Sequence, residues 1–105
     1  MDKDLILQNE LNNDGQTINL YFNYEIGLYV AFGFSAFFVV KIIDVLSSFS
    51  EELEMPVALL RKKDVEKLRL STVRDIHEYH SYYKLLLEQP ISLEGYHEWG
   101  SSLKW

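Results

Sequence analysis

Apolar and polar residues alternate strictly along the stretch that follows Gln16. Ile18, Leu20, Phe22, Tyr24 and Ile26 take one side, and Thr17, Asn19, Tyr21, Asn23 and Glu25 take the other. A period of two belongs to a β-strand with one buried face and one wetter face. Ahead of it lies Asn12-Asn13-Asp14-Gly15, whose Asp-Gly pair suits a hairpin turn that needs positive φ. Leu5, Ile6 and Leu7 precede that turn, so the pattern predicts an antiparallel hairpin of Leu5–Glu10 with Gln16–Glu25.

The next fifteen residues, Ile26 to Val40, carry no charge, and only Ser35 among them is clearly polar. A membrane-crossing helix needs about 20 apolar residues, so this run is short for one. A span over Ile26–Ile43 would also have to hold Lys41 at an interface. Leu28, Val30 and Phe32 extend the alternation into a third strand, which Gly33-Phe34-Ser35 interrupts. Ser35 is placed as a helix N-cap, its hydroxyl accepting a bond from a free amide of the first turn. Beyond it Phe38, Ile42, Val45, Leu46 and Phe49 share one helical side, and Lys41, Asp44, Ser48, Glu51 and Glu52 the other. The β-branched residues of this stretch favour a strand, but a strand would put Asp44 on an apolar face. A helix over Ala36–Phe49 is the reading that avoids this.

Pro56–Leu60 is short, apolar and led by proline, as in an edge or initial strand. From Asp64 onward Val65, Leu68, Thr72, Ile76, Tyr79, Tyr83 and Leu86 form a stripe at helical spacing. That stripe predicts a helix, with a break near Ser71 where Thr72 and Asp75 make a capping box. Gln89-Pro90 ends it. The order is β-β-β-α-β-α: one α+β domain over residues 1–105, with helices packed on one face of a mostly antiparallel sheet. Residues 89–105 have no period of their own and read as an irregular C-terminal tail.

Composition narrows the class. Hydrophobic residues make up 48% and charged residues 25%, a globular balance that excludes disorder. There is no cysteine, hence no disulfide framework and no thiolate metal site. The N-terminus places Asp2 and Asp4 where a secretory signal needs basic residues, which leads to the expectation of a cytoplasmic protein with no membrane segment. A formal charge of −6 disfavours duplex nucleic acid as a partner, because phosphate neutralisation supplies most of that affinity. Residues 1–54 hold nine acidic and two basic side chains, and residues 55–105 seven and eight. The halves therefore complement each other, within one molecule or across a dimer.

Candidate chemistry is sparse. His77 and His80, three apart on the predicted helix, could grip a metal, with Asp75 or Glu78 beside them and His97 as a distant third nitrogen. The zinc-protease helix, however, needs histidines four apart. Ser35 in Gly-Phe-Ser-Ala lacks the second glycine of the esterase elbow. Glu51, Glu52 and Glu54 fall in a predicted loop with no visible partner that would tune them. Six of the ten basic residues lie between Arg61 and Arg74, interleaved with acids as on a solvated helix. No catalytic residue and no cofactor site emerges.

Aromatics at 14% are the remaining resource. Tyr21 falls on the polar side of its strand and Tyr82 off the stripe of the last helix, while Tyr96, Trp99 and Trp105 sit in the tail. Amphipathic rings outside a core are typical interface anchors. The sequence thus points to a non-enzymatic protein-interaction or self-assembly module, its partner another protein or a second copy. Two rivals stand beside it: a metal- or ligand-binding protein or enzyme built on His77 and His80, and an acidic inhibitor or immunity-type protein for a basic enzyme.

Overall fold

The computed structural model describes residues 2–71, 73–79 and 82–104. The chain starts as a helix, α1 (Lys3–Leu11), and Asp2 caps it by accepting the Leu5 amide at 3.1 Å. Asn12 to Gly15 then turn the chain, with Gly15 at φ +84 and the Asp14 carboxylate accepting the Gln16 amide. Two antiparallel strands follow, β1 (Thr17–Asn23) and β2 (Leu28–Phe32), and then the helix α2 (Gly33–Ile42). A second pair, β3 (Leu46–Ser50) and β4 (Met55–Leu60), leads to α3 (Lys62–Ser71). A third pair, β5 (Val73–Glu78) and β6 (Tyr82–Leu87), precedes a short helix, α4 (Tyr96–Ser102).

Among the described residues six strands join one antiparallel sheet in the order β3-β4-β2-β1-β6-β5. The α+β class and the mostly antiparallel sheet expected from the pattern are therefore what the chain adopts. Register sorts the side chains into two faces. Ile18 pairs with Leu85, Leu20 with Tyr83 and Tyr29 with Leu60, and these side chains share the face on which α2 and α3 pack. Tyr21 pairs with both Val30 and Tyr82, and Phe32 with Val57, on the opposite face, where Ile6 of α1 and Leu53 join them.

The charge-free run spans two elements, as its change of period implied. It divides at Gly33, where β2 hands over to α2. Gly33 has φ +56, and a Cβ there would meet Met55 Sδ at 3.3 Å and Glu10 Cγ at 3.4 Å. Gly33→Ala is expected to cost about 1–2 kcal/mol for the left-handed conformation, read as a lower thermal midpoint, with the flexible Met55 absorbing the contact. An unchanged midpoint would show that α2 can start with ordinary backbone angles. The all-round apolarity of α2 follows from its position between the sheet and α4. Phe37 lies 5.6 Å from both the Tyr96 and Trp99 rings, and Phe34 lies 4.8 Å from Tyr96.

Four local expectations are corrected. Leu5–Glu10 is helical, because the Asp2 cap and the buried pair Ile6 and Glu10, four apart, outweigh the Leu-Ile-Leu run. The helix expected over Ala36–Phe49 stops at Ile42, and Leu46–Ser50 forms the edge strand β3. The helix expected from Asp64 to Leu86 ends at Ser71, close to the anticipated break, but a β-hairpin follows it; Thr72 itself lies outside the described residues. Within that hairpin Tyr83, Leu85 and Leu87 alternate inward, a period-two pattern that the helical stripe had masked. The tail, finally, contains α4.

Ser35 is not an N-cap but the third residue of α2, and it sits at the centre of a buried polar cluster. The Glu10 carboxylate accepts the Ser35 amide at 2.9 Å, the Ser35 hydroxyl at 2.8 Å and the Asn19 side-chain amide at 3.0 Å. The Ser35 hydroxyl in turn accepts the Asn19 backbone amide. Phe32, at the cap position, provides no side-chain acceptor. A carboxylate from α1 thus terminates α2, where the helix dipole favours negative charge. Asp64 plays a related part in α3, its carboxylate accepting the Arg61 amide at 2.9 Å. Desolvation pushes its carboxyl up, but the Arg61 amide and guanidinium outweigh that and hold it below the usual range.

Candidate functional site

The β1–β2 turn is set by local chemistry. The Asn23 side chain accepts the Glu25 amide at 3.0 Å, and Gly27, at φ +67, closes the turn by donating to the Asn23 carbonyl at 2.8 Å. This turn lifts Tyr24 out of the strand plane, leaving it 87% exposed with its ring edge-to-face on Phe22 at 4.8 Å. Phe22 and Tyr29 are register partners on the α2 face, their rings 5.0 Å apart. Tyr83 of β6 stacks on Tyr29 at 5.7 Å and is paired across the ladder with Glu78 of β5. At the end of that hairpin the Tyr79 amide donates to the Tyr82 carbonyl, and their rings stack at 4.8 Å with 14° between planes.

These side chains, with Leu20 as floor, line an open cleft of about 340 Å³ between the two hairpin ends. Its chemistry is that of ring faces, phenolic hydroxyls and the carboxylate of Glu78. Hydrogen bonding with the Tyr29 hydroxyl, and then the charge Tyr29 would carry, push the neighbouring Tyr83 phenol above its ordinary range. Beyond Tyr29, Glu78 and Tyr83 the surface continues into a smaller depression of about 190 Å³ bounded by Lys62 and Arg69 of α3. On the opposite face a second groove of about 350 Å³ has Val30, Phe32, Val57 and Leu59 as its floor, with the ion pair of Lys3 and Glu52 at its mouth.

The five aromatic anchors expected from the sequence separate in the fold. Tyr21 is corrected from a surface anchor to a core residue: it is 2% exposed, covered by α1, and its hydroxyl accepts the Asn9 side-chain amide at 2.9 Å. The reason is that α1, read as a strand, left nothing to cover that face. Burial pushes the Tyr21 phenol well up. Tyr82 lies on β6, half-buried between Tyr21 at 5.4 Å and Tyr79. Tyr96 and Trp99 are half-buried on α4 against Phe37 and hold that helix on α2. Trp105 lies outside the described residues.

The histidine candidates are not brought together. His77 is on β5, not on a helix, and its Nε2 lies 3.2 Å from Asp75 Oδ2 at an exposed edge. His97 is on α4, with its ring against Tyr96, and His80 lies outside the described residues. Among the described residues no three His, Cys, Asp or Glu side chains converge as metal ligands. The basic segment is divided: Arg61 pairs with Asp64 and Arg69 with Glu66, while Arg74 belongs to β5. Glu51, Glu52 and Glu54 fall between β3 and β4, at a turn where Glu54 adopts φ +54. Among the described residues no helix is long and apolar enough to cross a membrane.

Of the aromatic anchors expected from the sequence, only Tyr82 among the described residues lines the cleft; Phe22, Tyr24, Tyr29, Glu78, Tyr79 and Tyr83 were missed as members of it. Phe22 was legible as an inward residue of β1. Glu78 depends on the β5–β6 register, a non-local pairing for which the helical stripe left no signal. No protein-family model matches the chain, and neither the curated proteins nor the solved structures provide a match.

Proposed function

We propose that the chain is a non-enzymatic protein-interaction module that docks a partner through the tyrosine cleft at the ends of the β1–β2 and β5–β6 hairpins. One observation carries this reading: Tyr24 and Tyr79, 87% and 46% exposed, stand at the rim of a concave surface whose floor is also aromatic. Tyrosine offers a large, rigid contact area with a polar tip and loses little rotamer freedom on binding, which makes it a frequent interface hot spot. Among the described residues, the side chains in the cleft offer recognition surface and no nucleophile paired with a general base.

The double variant Tyr24→Ala/Tyr79→Ala tests the reading, because both residues are exposed and their loss spares the core. Protein isolated with its partners from its own cells is expected to lose its most enriched partner at least tenfold in the double variant, but not in Leu70→Ala, whose site is equally exposed on α3. If the partner is a second copy, light scattering on a sizing column shows the variant as monomer and the wild type as dimer. Equal recovery of every associated protein from both variants would end the proposal.

A further inference from the structure

We infer that the cleft receives a cationic side chain, an arginine or lysine presented by a basic protein partner. This rests on the interaction reading above and adds the chemistry of the contact. Aromatic faces attract Lys and Arg side chains through the ring quadrupole, and rings arranged around a concavity are an established receptor for ammonium cations. Phe22, Tyr24, Tyr29 and Tyr83 form a continuous series of ring contacts, each neighbouring pair with centroids 4.8–5.7 Å apart. Among the described residues Glu78 is the one carboxylate lining the same cleft, and Tyr79 flanks it on the chain. The tyrosines of the cleft present ring faces and hydroxyl oxygens to it.

Charge on the surrounding surface agrees. The molecule is net −6, and Glu25, exposed in the β1–β2 turn, neighbours Tyr24 in sequence. Among the described residues, Lys62 and Arg69 line the adjoining depression and not the cleft, and Arg69 is 3.4 Å from Glu66. Glu78 lines both the cleft and that depression, and so stands between the rings and these two cations. The volume of about 340 Å³ accommodates one long side chain, not a folded element. An acidic surface also accelerates encounter with a basic partner, an effect that salt suppresses.

The test uses two hexapeptides as probes, one of arginine and one of its neutral isostere citrulline, titrated into full-length protein with isotope-labelled tyrosine rings. The expected result is a saturable shift of the Tyr24, Tyr29 and Tyr83 resonances with the arginine peptide. At least tenfold weaker binding is expected for citrulline, for Glu78→Gln and for Tyr24→Ala. Equal binding of both peptides, or arginine binding that Glu78→Gln and Tyr24→Ala leave unchanged, overturns the cation site. The two proposals fail separately. If neither peptide moves the rings while Tyr24→Ala/Tyr79→Ala loses its cellular partner, the cation inference falls and the docking surface stands. If the arginine peptide binds as expected while the double variant keeps all its partners, the docking proposal falls and the cation site stands.

Discussion

Phe38→Ala is expected to remove about 3–5 kcal/mol of stability, because the loss of transfer free energy and the cavity left behind both count. Phe38 is fully buried, 0% exposed, in the cluster formed by Ile18, Leu20, Leu68 and Leu85 beneath α2. It lies on the helix that the sheet, α3 and α4 enclose together, so no mobile element is free to collapse into the space. A domain of this size commonly has about 5–15 kcal/mol in total, which makes the loss a large part of the whole. Each kcal/mol corresponds to roughly 4–8 °C of thermal midpoint. Leu70→Ala, at a position 86% exposed on α3, is expected to stay within about 0.5 kcal/mol. Should Phe38→Ala fail to fold, Phe38→Leu keeps most of the volume and is expected to cost on the order of 1 kcal/mol. Urea midpoints of the three variants decide the matter. If Phe38→Leu and Leu70→Ala lose equal amounts, the core is not where α2 places it.

The legible parts of this fold are those whose pattern and local chemistry agree. β1 reads directly from Ile18, Leu20 and Phe22, and the division of the apolar run reads from Gly33, the residue whose φ permits it. The misread parts are those where one spacing serves two structures. Val65 and Leu68 lie on a real helix, and Ile76, Tyr83 and Leu86 continue their stripe by coincidence. Since the stripe absorbed Tyr79 and Tyr83, the cleft could not be seen from the sequence. It exists only when β5 pairs with β6 and β6 with β1, which brings residues near 80 beside residues near 22. In the same way Glu10 appears in the sequence as one more surface acid. Its role depends on a contact with Ser35, twenty-five residues away, that no local pattern encodes.

That contact gives the second large effect. Glu10→Ala is expected to cost about 3–5 kcal/mol, because the Ser35 amide, the Ser35 hydroxyl and the Asn19 amide would lose a buried acceptor together, at roughly 1–3 kcal/mol for each group left unpaired. Glu10→Gln keeps an acceptor for the Ser35 amide and separates shape from charge. Among the described residues Asn19 Oδ1 has no hydrogen-bond partner, so Asn19 can turn its amide over and accept from the new Gln nitrogen. Burial pushes the Glu10 carboxyl above its ordinary value of 4.5, and the Ser35, Asn19 and Asn13 bonds only partly oppose that. A folded-state value above the unfolded one means that the native protein holds the proton more tightly. The corresponding stability is complete below about 4.5 and is lost as pH rises through the folded value. Glu10→Gln, neutral throughout, escapes this loss, so its stability relative to wild type should improve as pH rises from about 4 toward neutrality. Asp64 contributes the opposite trend, since its lowered carboxyl stabilises at high pH and fails on acidification, but it does so equally in both proteins and cancels in the difference. Urea titrations of wild type and Glu10→Gln across that range measure the difference directly. A difference that does not change with pH would mean that Glu10 ionises as freely in the folded protein as in the unfolded chain, and that the cap on α2 is not the desolvated carboxylate described above.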